Sequence, residues 1–387
     1  MFQNLKQKQQ FFKSYDMVIK NKLLKSNQRG SLLAELMIGL AMGALTVLGV
    51  TTIYAQFEAQ KRITVQVGET VSNAALAILP LQSDAKMAGY GVNIKDLMSC
   101  DIIGYNSNTD KNFTFSLEPV KIIPAGKTGN ANPNSDLIKF VSSDTSAYYS
   151  PVKLTSDYGG TEAVYKVDNR FGFAPGDMVI SISPPKKCTL SQVTDIPGTP
   201  GRTDNVLKNT GMYDDPITGE KVKAVYNQAG GVKDPVTGNP IDYDTGSRLL
   251  NIGRSPTSVS YYIENNQLKR INDLDSSGVG VALTVADNVV LMKAQIALDA
   301  DSDGAAESWV DEVTDKADYQ YVKGIRMAII ARTSQKQGGS ACTTTENSEF
   351  VWDGGTMDVS VLGDDWGCYR YRMIQTTVPF RNLIWMQ

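Results

Sequence analysis

The chain has 387 residues, 42% of them hydrophobic, which is enough for a sizeable core, and a formal net charge of −3. That charge is segregated: residues 1–30 are net +6 and the remainder is net −9, which argues against nucleic acid as the main partner of the bulk of the chain. Histidine is absent, so Ser-His and Cys-His nucleophile pairs, histidine general bases and histidine metal ligands are excluded.

Residues 1–30 carry Lys6, Lys8, Lys13, Lys20, Lys22, Lys25 and Arg29 against Asp16. An apolar run follows. From Ser31 to Phe57 the only charge is Glu35, and Leu36 to Ala55 gives 20 uncharged residues, the length that spans ~30 Å of hydrocarbon as a helix. The basic flank keeps the amino end cytoplasmic and sends the rest outward. The run exceeds the roughly 7–15 residues of a secretory h-region, with no small-residue cleavage site after it. A carboxylate inside such a helix costs about 2.5–3.5 kcal/mol at its centre and is functional by default. The stretch Arg29-Gly30-Ser31-Leu32-Leu33-Ala34-Glu35 closely resembles the class III signal of type IV pilins and pseudopilins. The resemblance implies a prepilin peptidase cut after Gly30, an N-methylated amino terminus at Ser31, and Glu35 as the assembly contact. Ser31 and Leu32 depart from the commoner Phe or Met and Thr, and Thr52 stands where many pilins have a proline.

Residues 58–90 read as an amphipathic continuation. Ile63, Val67, Val71, Ala74 and Ile78 form a helical stripe, opposite Glu58, Lys61, Arg62, Gln66, Glu69 and Asn73. Pro80 lacks a backbone donor and is expected to kink or end the helix, with a second helical piece over 81–88 stopped by Gly89 and Gly91. Gly39 and Gly43 are a small-xxx-small pair that permits close helix approach. The stretch Asp84-Ala85-Lys86-Met87-Ala88-Gly89-Tyr90 resembles the "D-x-R-M-A-G-Y" motif of PilW-type minor pilins. Weaker matches follow at Phe173–Ile180, Ser258–Arg270, Val285–Val289, Ile325–Arg332 and Tyr369–Leu383.

Residues 91–387 read as a β-rich globular head. Strands are expected at 113–123, 136–141, 163–167, 178–182, 259–263, 289–298, 325–331 and 369–377, with a hairpin turn at Asn265-Asn266. A long helix laid on antiparallel sheet gives the α+β class, and the pilin resemblance implies the same fold. Residues 196–248 are rich in turn formers and read as a surface insertion. Asp215-Pro216-Ile217-Thr218-Gly219 recurs as Asp234-Pro235-Val236-Thr237-Gly238. Both copies read as turns, and a hairpin is expected at 221–226. Cys100, Cys188, Cys342 and Cys368 contain no CxxC pair and, in an exported head, point to disulfides. Of the three possible connectivities, Cys100–Cys188 with Cys342–Cys368 closes the shorter loops.

Asp299-Ala300-Asp301-Ser302-Asp303-Gly304-Ala305-Ala306-Glu307 offers oxygen ligands suited to Ca²⁺, with Asp299, Asp301, Asp303 and Glu307 as ligands, although Val310 stands where an EF-hand has its bidentate Glu. A solvated acidic turn is the alternative. Asp364 and Asp365 beside Trp366 read as a turn rather than a carboxylate pair for sugar hydrolysis. No Walker or GxGxxG motif occurs, so the chain is expected to be structural rather than enzymatic. The family resemblance implies a minor pilin held in the bacterial inner membrane by one span, with a periplasmic head that can reach the pilus tip. Its implied partners are other minor pilins, the major pilin, the prepilin peptidase, the inner-membrane assembly platform and a large tip adhesin. It would help initiate pilus assembly. The alternatives are a minor pseudopilin of a type II secretion system and a tip binding module built on residues 196–248.

Overall fold

The computed structural model describes residues 31–92, 100–130, 132–144, 150–183, 187–197, 205–208, 211–274, 280–337 and 342–383. Residues 1–30, with the expected cleavage residue Gly30, lie outside them, as do parts of the 196–248 segment. The architecture is α+β: a long, initially apolar helix, Ser31–Met87, followed by a head of several largely antiparallel sheets. The chain divides into two units, Met1–Val65 and Gln66–Gln387.

In the first unit the helix exposes its apolar side chains on all sides, from Leu32 and Leu36 to Tyr54 and Phe57. It is long and apolar enough to cross a membrane. Its threonines are satisfied internally. Thr46 Oγ1 donates to the Met42 carbonyl at 2.7 Å, Thr51 to Leu48 at 3.0 Å and Thr52 to Gly49 at 2.8 Å. This is what an apolar medium demands of a hydroxyl. Helical structure passes through Thr52 without a break.

In the second unit the helix continues through Pro80 to Met87, so the expected kink-or-stop does not end it. The missing donor is tolerated because this part of the helix is held by packing. The buried face also differs from the expected stripe. Thr70, Ala74, Ala77, Ile78, Leu81, Ala85 and Ala88 face the core, whereas Val71 is 45% exposed. Small residues dominate this face, and Thr70 is admitted to it because its hydroxyl returns to the Gln66 carbonyl at 2.7 Å.

The helix packs on two sheets. One runs in the order Leu283–Asp287, Gln267–Asn272, Thr257–Glu264, Leu137–Ser142, Val120–Ile123. The other runs Ser308–Val310, Val289–Leu298, Val322–Arg332, Tyr371–Pro379. Their shared core joins Ala77, Leu81 and Ala85 to Phe140, Tyr261, Met292, Met327 and Phe380. Val322–Arg332 is buried on both faces: Ile325, Met327 and Ile329 meet the helix-side core, while Ala328 and Ile330 pack with Trp352 and Met357. A six-stranded sheet, Lys111–Ser116, Asp101–Asn106, Cys188–Gln192, Met178–Ile182, Arg248–Gly253, Val152–Lys153, builds a further core. Its Asp101–Asn106 and Cys188–Gln192 strands pair in parallel.

Three further expectations require correction. The strand expected over 113–123 is two strands, Lys111–Ser116 and Val120–Ile123, in different sheets. Pro119 separates them and cannot donate to a ladder. The hairpin expected at 221–226 is instead Met212–Asp214 paired with Lys221–Lys223, with the Asp215–Gly219 turn between. Nor is 196–248 only a surface feature, because Tyr226 and Tyr243 are each 1% exposed. The Tyr243 hydroxyl reaches the Lys187 carbonyl and Thr189 Oγ1, both at 2.9 Å. The Asn265-Asn266 hairpin forms as expected, with φ of 51° and 58° and Glu264 opposite Gln267, the geometry of a type I′ turn.

Candidate functional site

Ser31 begins the described helix, and Glu35 lies one turn on, the only charge among its exposed apolar neighbours. Apart from the adjoining residues and backbone of its own helix, a Cβ added at Gly39, Gly43 or Gly49 would meet no atom of the described residues within 4 Å.

The motif Asp84–Tyr90 is tied into the head from several directions. Asp84 Oδ2 accepts from the Tyr261 hydroxyl at 2.6 Å and from Arg270 Nε at 3.1 Å. Arg270 Nε also lies 3.1 Å from the Tyr261 oxygen. Burial, reinforced by Asp84, pushes the Tyr261 pKa up. At Arg270 burial opposes the charge, but Asp84 and Tyr261 outweigh it and raise the pKa. Gly89 takes φ +77° and donates to the Val141 carbonyl at 2.8 Å. Asn382 Nδ2 donates to the Lys86 and Ala88 carbonyls, each at 3.2 Å. In the sequence this motif is visible only by resemblance. Its partners lie as many as 296 positions away, and no local pattern identifies them.

The four cysteines form Cys100–Cys188 and Cys342–Cys368. The first joins the segment entering Asp101–Asn106 to the start of the parallel strand Cys188–Gln192. The second ties the loop ahead of Glu349–Trp352 to the turn ahead of Tyr371–Pro379. Asp365 belongs to that turn and pairs with Lys336 at 2.8 Å; the hydrogen bond from Lys336 holds its carboxyl below the usual range.

The duplicated turns have the same hydrogen bonding. Asp215 Oδ1 accepts from Ile217 N at 2.8 Å, and Asp234 Oδ1 from Val236 N at 2.7 Å. Gly219 N returns to the Asp215 carbonyl at 2.7 Å, and Gly238 N to Asp234 at 2.8 Å. Each aspartate also pairs with a base, Asp215 with Arg254 at 2.8 Å and Asp234 with Lys187 at 3.0 Å. Ile217 and Val236 stand out at the tips.

Asp299, Asp301, Asp303 and Glu307 converge in the loop between Val289–Leu298 and Ser308–Val310, with one oxygen from each within 4.8 Å of the others. Asp301, Asp303 and Glu307 are exposed, while Asp299 is fully buried.

Compared with known families, the chain matches that of type IV pilus-assembly protein W, PilW, over residues 258–382. This region contains Tyr261, Arg270, the acidic loop and the paired strands Val289–Leu298, Val322–Arg332 and Tyr371–Pro379. No curated protein and no solved structure matches the chain.

Proposed function

We propose that this chain, which matches the PilW family over residues 258–382, is a minor pilin that takes part in initiating type IV pilus assembly. The observation that carries the reading is the combination of a PilW-matching head region with a helix whose first half is exposed, apolar and charged only at Glu35. The family match over residues 258–382 supports a role in pilus assembly. The specific role in a priming or tip complex, with other minor pilins and the major pilin as partners, is our reading.

In this account the prepilin peptidase cuts between Gly30 and Ser31, and the helix is then held in the inner membrane with the head in the periplasm. The amino terminus of Ser31, methylated or not, is cationic, and Glu35 is one turn away. A carboxylate in hydrocarbon is stabilised by a neighbouring cation. Pairing Glu35 with the amino terminus of a neighbouring subunit couples charge neutralisation to one axial register. Gly39 and Gly43, as a small-xxx-small pair, allow the helices to approach. The same features serve a type II pseudopilin, and the PilW match favours the pilus.

Amino-terminal sequencing of the chain from membranes and sheared pili tests this reading. A mature chain starting at Ser31 is expected, with full-length precursor accumulating in Gly30→Val. A terminus after Ala55 would mean secretory cleavage and would overturn it. Glu35→Ala should be processed normally but recover less of the other minor pilins on co-purification; unchanged recovery would remove Glu35 as an assembly contact.

A further inference from the structure

Buried carboxylates in this head generally have their oxygens satisfied. Asp136, 4% exposed, receives Lys293 Nζ at 2.8 Å and the backbone amides of Ala125 at 3.1 Å and Ala294 at 3.0 Å. Glu118, 3% exposed, receives Lys121 at 2.9 Å and Ser116 Oγ at 2.8 Å. Asp299 is the exception. It is 0% exposed, its Oδ2 accepts from Gly304 N at 3.1 Å and faces Lys323 Nζ at 3.5 Å, but its Oδ1 has no partner among the described residues. An unpaired buried carboxylate oxygen is unfavourable, and this one belongs to a carboxylate that converges with three others.

The other three present one occupied oxygen each. Glu307 Oε2 accepts from Ala300 N at 2.7 Å, Asp301 Oδ1 from Asp303 N at 3.2 Å, and Asp303 Oδ1 from Ala305 N at 2.7 Å. Each therefore keeps a second oxygen for a ligand. Lys323 supplies a single positive charge beside these four carboxylates. Their separation of at most 4.8 Å matches the diameter of a calcium coordination shell, roughly twice a Ca–O distance of about 2.4 Å. With no nitrogen or sulfur donor in the cluster, a hard cation is favoured. Calcium suits such a carboxylate-rich loop better than magnesium, which dehydrates reluctantly.

We propose that Asp299, Asp301, Asp303 and Glu307 bind a calcium ion, with the orphaned Asp299 oxygen as the buried ligand. The loop is already anchored at its base, where Asp299 N donates to the Tyr321 carbonyl at 2.9 Å and Glu307 N to the Leu298 carbonyl at 3.0 Å. Bound calcium would fasten its outer turn and stabilise the edge hairpin of the four-stranded sheet. This site is independent of the role assigned to Glu35.

The test uses the full chain in detergent, with terbium and calcium as probes. Trp309, two positions after Glu307, is placed to sensitise terbium emission. Expected results are tryptophan-sensitised emission that calcium displaces, and a melting midpoint raised by a few degrees at about 5 mM calcium, above the ~10⁻⁴–10⁻³ M range of extracellular modules. Magnesium at the same concentration should do much less. The Asp301→Asn/Asp303→Asn double variant changes only exposed side chains and should bind about 10–100-fold more weakly, while Asp311→Asn, outside the cluster, should behave as wild type. Absence of displaceable emission together with an unmoved wild-type midpoint would overturn the site, and so would an equal response in the double variant or an equal response to magnesium.

Discussion

Tyr261 donates its hydroxyl to Asp84 Oδ2 at 2.6 Å, joining the last turns of the helix to the central strand of the five-stranded sheet. Arg270, on the neighbouring strand Gln267–Asn272, completes the contact. Tyr261→Phe should remove one hydrogen bond from a partly buried carboxylate and lower stability by about 1–3 kcal/mol. Asp84→Ala leaves both Tyr261 and Arg270 without their acceptor and should lose about 2–3 kcal/mol. Urea unfolding should show lower midpoints at unchanged slope. Equal stability of Asp84→Ala and wild type would mean that the contact does not hold the helix to the sheet.

Gly89 combines φ +77° with a position where a Cβ would lie 2.6 Å from Leu383 Cδ2 and 3.4 Å from Pro119 Cβ. Gly89→Ala therefore adds left-handed backbone strain of about 1–2 kcal/mol and displaces Leu383. A lower melting temperature is expected, with exchange of the backbone amide at position 89 accelerated as its bond to the Val141 carbonyl weakens. An unchanged melting temperature would show that the turn relaxes freely.

Much of this architecture is legible from local pattern. Met178–Ile182 and Val289–Leu298 fall where apolar runs bounded by turn formers place strands, and Asn265-Asn266 announces its turn chemically. What is not legible depends on packing. Thr70 rather than Val71 is buried, and its hydroxyl is satisfied by the Gln66 carbonyl one turn back, which the apolar pattern alone does not signal. Pro80 remains helical because tertiary contacts hold the turns on either side. Tyr226 and Tyr243 occur without periodicity in a turn-rich segment, so composition alone assigns them to the surface. At the acidic loop the clustering of Asp299, Asp301, Asp303 and Glu307 can be anticipated, but the burial of Asp299 and its unpaired oxygen cannot.

Asp177 is buried, and desolvation raises its pKa above 3.8 despite hydrogen bonds from Asn251 and the Ala174 amide. The folded state therefore binds this proton more tightly than the unfolded chain does. The resulting stabilisation is fully present below the unfolded pKa and is lost as pH rises through the folded one. Asp177→Asn keeps an oxygen for the amide and cannot ionise. Stability measured against pH should show the variant gaining on wild type as pH rises from about 4, then a constant difference above the folded pKa. A difference independent of pH would contradict this.

The bridges span sequence separations of 88 and 26 residues. Breaking either one, by Cys188→Ser or Cys342→Ser, should cost about 2–4 kcal/mol, with the larger loss for the longer loop on the chain-entropy account. Non-reducing peptide mapping of exported protein should recover both crosslinked pairs. Four free thiols, or a crossed pairing, would contradict the structure.

If this chain helps start a pilus, the number of surface pili per cell should depend on it, which a strain lacking the chain tests. Piliation should fall sharply, return with the wild-type chain and fail to return with Gly30→Val, which keeps the head but blocks entry into assembly. Unchanged piliation in the deletion strain, under conditions where the chain is produced in wild-type cells, would contradict the account.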